Sequence, residues 1–159
     1  WNLGATSAKD LYEQGIRTSF AERGVGGADA YIANSEAKPA DFKDNSGGRR
    51  DASAVSTITI AWNDNANFEQ KLERNITQKY LAIFPDGQEA WSEFRRTGYP
   101  KLFTINYNAS SGAVSTDTQI RRLRFPTDEY SQNAANVQAA VTLLGGQDNG
   151  NTKLWWDKK

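Results

Sequence analysis

The sequence predicts a mainly α-helical fold, and three observations indicate it. Apolar side chains recur at steps of three and four residues over the longest patterned stretch, Phe68 to Ile83. Residues that cap helix N-termini stand just before such stretches, and glycine or proline stands just after them. Segments with the alternation of a β-strand are few and short. The hydrophobic fraction of 38% and the charged fraction of 24% are those of a globular chain.

A first helix pair is predicted near the start of the chain. Ser7 is a suitable N-cap with Asp10 three residues later, and apolar side chains follow at helical spacing as far as Phe20. Gly24 is suited to end this helix. A shorter helix is predicted for about Ala28 to Asn34, and the three-residue link between the two predicts an antiparallel pair.

Residues 35–53 are polar and contain glycine, which predicts a surface loop. Ile58, Ile60 and Trp62 then alternate with other side chains, which is typical of a short strand. A second extended segment is predicted at residues 103–108, with residues 120–126 as its candidate partner strand. The last helix is predicted within residues 133–144, before two glycines.

A second helix hairpin carries the strongest signal. Asn67 and Gln70 resemble a capping box, and the helix that follows must end at Phe84 because Pro85 disfavours helical conformation there. Asp86 is placed to cap the next helix. Its apolar face, made by Ala90, Trp91 and Phe94, is predicted to be buried against the helix of residues 67–84.

Composition excludes several kinds of site. The chain of 159 residues has no His and no Cys, so it lacks the commonest general base, the thiolate nucleophile and the commonest zinc ligands. Its formal net charge is zero, which argues against nucleic acid as a partner. We therefore predict no catalytic residue, no metal site and no cofactor. Two functions remain open on the residues alone: a binding or scaffold module, and a fragment of an enzyme.

Carboxylate pairs are the basis of the enzyme alternative. Glu69 and Glu73, and likewise Glu89 and Glu93, lie four residues apart on predicted helices, and a carbohydrate-active hydrolase can use two acidic residues. The same spacing is typical of solvated helix faces and first-turn capping. The alternative function is therefore a fragment of such a hydrolase.

Aromatic residues are the candidates for ligand binding. Sugars stack on aromatic faces while amide and charged groups bind their hydroxyls. Trp62 and Tyr107 stand at the ends of short extended segments close to Asn residues, so we select them as candidate ligand-binding residues. Residues at the end of the second hairpin have a structural interpretation instead, because a cation in the last helical turn balances the helix dipole. This structural set comprises Trp91, Phe94, Arg95, Arg96, Gly98 and Pro100.

Five segments together resemble the C-terminal part of SusD/RagB proteins, the nutrient-binding outer-membrane lipoproteins of Bacteroidetes. In chain order they are LYEQGIRTSF, ITIAWND, KLERNITQKYLAIFPDGQEAWSEFRRTGYPKLF, IRRLRFPTDEY and LGGQDNGNTKLWWD. The resemblance implies a mainly α fold of tetratricopeptide-like helix pairs with long irregular loops and a few short strands. Residues 1–159 are then expected to be one unit, the C-terminal portion of a longer protein whose N-terminal part is absent here. This is also our explanation for a chain that begins at Trp1 and has no Met.

The resemblance also implies a function. Family members bind a glycan or a peptide without catalysis and deliver it to a SusC-like TonB-dependent transporter. They act in polysaccharide utilisation at the cell surface, held in the outer membrane by an N-terminal lipid anchor, which here lies outside the chain. No ligand residue of the family can be matched to a position in this sequence.

Overall fold

The computed structural model describes residues 6–157 and is mainly helical, as predicted. The helices are α1 (Ala8–Glu22), α2 (Ala28–Ile32), α3 (Phe68–Ala82), α4 (Gly87–Thr97), α5 (Thr127–Gln132) and α6 (Ala134–Leu143). Each of these helices except the short α5 is predicted by the sequence. Within the described range, no helix has the length and apolar character needed to cross a bilayer.

The predicted helix caps are confirmed. The side chains of Ser7 and Asp10 form a capping box at the start of α1, and Asn67 and Gln70 form another at the start of α3. Asp86 accepts a hydrogen bond from the backbone N–H of Glu89 and so caps α4. These caps depend on side chains three residues from the groups they satisfy, which is why the sequence alone predicts them.

The predicted strands are wrong for residues 6–157. Pairing there is limited to two isolated antiparallel bridges, Phe42 with Ala52 and Ser115 with Gln119. In the segment of residues 58–62, side chains of helices bond the backbone instead. The carbonyl of Ile60 accepts from the hydroxyl of Tyr12, and the carbonyl of Thr59 accepts from the Nε of Arg74. Extended backbone bonded in this way has no need of a neighbouring strand.

The described chain divides into two compact units. Unit one contains the described residues up to Ala40, Ala54–Phe94 and Gly98–Leu102. Unit two contains Asp41–Ser53, Arg95–Thr97 and the residues from Phe103 onward.

The core of unit one forms where α1 packs against α2 and α3. Tyr12, Ile16 and Ile32 are its buried centre, and the rings of Phe20 and Tyr31 lie against it with their centroids 5.3 Å apart. Burial raises the pKa of the Tyr12 hydroxyl, whose proton is donated to the carbonyl of Ile60 at 2.6 Å. The core is therefore small and aromatic.

The buried face of α3 differs from the predicted apolar stripe. Ile76 is buried as expected, but Phe68 is 73% exposed and Tyr80 is 40% exposed. Two charged residues, Glu73 and Arg74, are buried instead. Burying a charged group is costly unless other groups satisfy it. Glu73 finds such partners in Ser56 and Lys101, and the Nε of Arg74 bonds the carbonyl of Thr59, so polar contacts help to hold α3 in place.

Unit two is held by buried arginine–aspartate pairs. Arg121 pairs with Asp157, and Arg122 pairs with Asp148, with every side chain at most 7% exposed. The backbone N–H of Arg121 also donates to the carbonyl of Gly150 at 2.6 Å. These contacts join the segment around residue 121 to the C-terminal loop.

Candidate functional site

Tyr107 lies in unit two beneath an arginine side chain. The guanidinium carbon of Arg49 is 3.6 Å from the centroid of the Tyr107 ring, and that of Arg50 is 6.0 Å away. Both distances are within the range of cation–π attraction. Tyr107 is 39% exposed, and the side chains of both arginines are exposed as well. Aromatic and cationic groups are thus presented together at a surface.

The loop that carries Arg49 is ordered by two aspartates. Asp44 accepts hydrogen bonds from the backbone and hydroxyl of Ser46 and from the backbone of Arg50. Asp51 accepts from the backbone N–H of Asp44 at 2.7 Å and from Lys43 at 3.2 Å. The bonds from Ser46 lower the pKa of Asp44, and the bond from the Asp44 backbone lowers that of Asp51.

Two further contacts complete this arrangement. The bridge between Phe42 and Ala52 closes the base of the loop with N···O distances of 2.8 and 3.1 Å. The amide of Asn106, the neighbour of Tyr107, donates to the carbonyl of Asp51. Together they bind the arginine loop to the segment that carries the tyrosine, so the stack of Arg49 on Tyr107 belongs to an organised surface.

Neither Arg49 nor Arg50 forms an ion pair with any part of the chain that the structure describes. A guanidinium stacked flat on an aromatic ring keeps its edge donors available for hydroxyl or carboxylate oxygens. The cluster can therefore offer a ligand an aromatic edge and several donors. The sequence pattern indicates Tyr107 but not Arg49, because no local pattern links residues so distant in the chain.

Trp62, the other candidate, lies against the core of unit one. Its ring centroid is 5.3 Å from that of Tyr12, and its indole N–H donates to Asp64 at 2.9 Å. The Nζ of Lys71 lies 5.8 Å from the centroid of the indole ring. These contacts leave Trp62 half-buried, so less of its surface is available than at Tyr107.

The acidic pairs are engaged in contacts within unit one. Lys79 forms ion pairs with Glu89 at 2.7 Å and with Glu93 at 3.5 Å. The hydroxyl of Tyr99 donates to Glu69 at 2.8 Å. Glu73 accepts a hydrogen bond from the hydroxyl of Ser56 at 2.6 Å and forms an ion pair with Lys101 at 3.0 Å. Across the described residues, no group of three or more acidic side chains is arranged to hold a metal ion.

Comparison with known proteins identifies the family. The family model for SusD-like proteins, described as Susd and RagB outer membrane lipoprotein, matches residues 1–157. The chain belongs to the SusD-like family.

Solved SusD structures agree with this assignment. A chitin-binding SusD homologue from Flavobacterium johnsoniae is 47% identical, with a TM-score of 0.87 over 99% of this chain and 32% of that protein. A SusD homologue from Bacteroides uniformis is 45% identical, with a TM-score of 0.89 over 100% of this chain and 33% of that protein. The chain thus spans about a third of these relatives. The match confirms the predicted tetratricopeptide-like helical fold. No curated protein matches significantly.

In this SusD-like chain, the signature of residues 91–100 at the end of α4 serves mainly to end the helix. Gly98 adopts the left-handed conformation with φ of 76°, which glycine reaches without strain, and Pro100 is buried. Trp91 and Phe94 are half-buried, less than the sequence analysis expected, and their contact with α3 stays a prediction.

The two arginines of that signature differ from each other. Arg95 reaches the carbonyl of Arg121 and lies 4.9 Å from the ring of Trp156, within unit two. Arg96 lies on the exposed side of the last turn of α4. A guanidinium that bonds a backbone carbonyl and stacks on an indole is consistent with a structural role for Arg95.

Proposed function

We propose that this chain is part of a non-catalytic glycan-binding protein that acts at the outer membrane. The observation that carries the proposal is the 47% identity, over 99% of the chain, with a SusD homologue that binds chitin. Following the family, we propose that the whole protein is lipid-anchored at the cell surface. We also propose that it passes its ligand to a SusC-like TonB-dependent transporter. The C-terminal position of this chain in the longer protein stays a prediction.

Within this proposal, Tyr107 and Arg49 are the preferred contacts for the glycan. The phenol ring offers an aromatic edge and the guanidinium offers several donors beside it, which suits the apolar C–H groups and the hydroxyl groups of a pyranose ring. Trp62 is the second candidate, because its ring already packs against Tyr12 and the core. A peptide ligand is the alternative that binding measurements must compare with glycans.

The decisive experiment is isothermal titration of the full-length protein with chito-oligosaccharides, other glycans and peptides. We expect binding of a glycan, and Tyr107→Ala should weaken it by roughly two- to tenfold, the loss expected for one aromatic contact. Tyr80→Ala is the matched control, since Tyr80 is also exposed but belongs to unit one. Unchanged affinity in the Tyr107 variant would show that Tyr107 does not contact the ligand. The proposed function would be unaffected by that result.

Catalysis is tested on the same samples. We expect no release of reducing ends from any glycan that binds. Turnover that disappears in Glu89→Gln or Glu93→Gln would instead support the acidic hydrolase. Both carboxylates pair with Lys79 in the folded chain, which supports a structural role for them.

The transport partner requires a separate test. We expect a gene for a TonB-dependent transporter beside the gene for this protein, and co-purification of the two products from outer membranes. Recovery of the protein in the cytoplasmic fraction would contradict the proposed location.

A further inference from the structure

A cavity of about 320 Å³ lies in unit one beside α3. One side is formed by α3 and the other by residues 37–39 and 58–60. Its apolar walls come from Pro39, Ile58, Ile60 and Leu81. Among the described residues that line it, the charged ones are Arg74 and Lys38, and both are cations. The cavity therefore carries positive charge without an acidic side chain in its lining.

Arg74 is buried at this cavity, and the described part of the chain provides no counter-ion for it. The residue is 4% exposed, and its Nε donates to the carbonyl of Thr59 at 3.0 Å. Its Nη1 is buried and has no hydrogen-bond partner in residues 6–157, where the guanidinium also forms no ion pair. The hydroxyl of Thr77, one helical turn further along α3, is likewise buried and unpartnered within that range.

An unpaired guanidinium in an apolar setting is strongly unfavourable, and proteins normally provide it with an anion. A carboxylate is the group that best matches its planar, two-pronged donor geometry. The Thr77 hydroxyl can donate a further hydrogen bond, and the apolar walls can accept the carbon skeleton that bears the carboxylate.

We propose that this cavity is a carboxylate-binding site centred on Arg74. Two sources can supply the group: a small ligand such as a uronic acid, or an Asp or Glu side chain from a polypeptide segment outside residues 6–157. With either source, the two carboxylate oxygens would lie against the guanidinium of Arg74. The site lies in unit one, whereas Tyr107 lies in unit two, and its existence does not depend on the proposed glycan function.

The first experiment measures binding of acetate and D-galacturonate to the chain itself. Melting temperature is followed against sodium chloride at equal ionic strength. At a concentration about tenfold above Kd, either carboxylate should raise Tm by roughly 3–6 °C. The rise should be absent in Arg74→Met. It should be unchanged in Arg124→Met, which removes an exposed arginine of unit two.

A second measurement covers the case in which Arg74→Met fails to fold. The side-chain N–H resonances of Arg74 in the wild-type chain should shift on addition of acetate, and those of Arg124 should not. Absence of both the shift and the rise in Tm, with Arg74→Met as stable as Arg124→Met, would overturn the proposal. Stronger binding of inorganic phosphate than of either carboxylate would overturn the assignment to carboxylate.

The full-length protein distinguishes the two sources. Binding of D-galacturonate there, abolished by Arg74→Met, identifies a ligand site. Absence of binding, together with a larger loss of stability in Arg74→Met than in the shorter chain, identifies an acidic side chain of the polypeptide. Both outcomes support a carboxylate at Arg74.

Discussion

Asp157 lies directly against the guanidinium of Arg121, and solvent reaches almost none of either side chain. Their exposures are 1% and 4%, and the Nε of Arg121 donates to Asp157 at 2.7 Å. The same guanidinium donates to the carbonyl of Arg95 at 3.1 Å. A residue near the end of the chain thus neutralises a charge buried in the middle of unit two.

Replacing Asp157 should therefore destabilise the protein severely. Asp157→Asn keeps the shape of the side chain but leaves Arg121 charged and uncompensated, which should cost about 3–5 kcal/mol. Urea unfolding measures the free energy, with the exposed Asp117→Asn as control. A loss below about 1 kcal/mol would show that Arg121 finds another partner.

Glu73 should be important for stability in unit one. It accepts from the buried hydroxyl of Ser56 and pairs with Lys101, so Glu73→Ala leaves that hydroxyl without its acceptor. The expected loss of unfolding free energy is roughly 1–3 kcal/mol. Glu73→Gln retains an acceptor and should lose less, and the exposed Glu36→Ala should lose little. Equal stability of all three variants would contradict a structural role for this carboxylate.

The helices could be predicted from the sequence because their signals are local. Ser7 and Asp10, or Asn67 and Gln70, stand three residues apart, and Gly98 directly follows the helix that it ends. The resemblance to the SusD-like family then supplied the tetratricopeptide-like arrangement of helix pairs, which such local signals alone could not give. Caps, spacing and helix-ending residues act over one turn of backbone, which any window of the sequence contains.

Burial on α3 could not be predicted in the same way. Periodicity selects Phe68 and Tyr80, but both are exposed, whereas Glu73 and Arg74 are buried. The partners of Glu73 and Arg74 come from segments outside α3, and no spacing within the helix indicates them. The contact of Arg49 with Tyr107 was missed for the same reason.

Asp148 should make unit two sensitive to acid. Burial would raise its pKa, but hydrogen bonds from Tyr130, Arg122 and the backbone of Phe125 outweigh that effect and lower it. A carboxyl whose pKa is lower when folded contributes stability above its unfolded value of about 3.9, and this is lost as pH falls through the folded value. In Asp148→Asn, stability should therefore fall less steeply below about pH 4 than in the wild type. Unfolding measured across acidic pH tests this, and Asp117→Asn should retain the wild-type slope.

Tyr99 should be among the last tyrosines to ionise. Burial, together with the hydrogen bond that its hydroxyl donates to Glu69 at 2.8 Å, raises its pKa to about 12. Since this value is above the ordinary one of about 10, the contact contributes stability below pH 10 and loses it as pH rises through the folded pKa. Glu69→Gln removes the negative charge beside the phenol, so the Tyr99 pKa should move down toward its ordinary value. Ultraviolet titration of the phenolates, with Tyr99→Phe to assign the signal, measures the shift. An unchanged titration in Glu69→Gln would mean that burial alone sets this pKa.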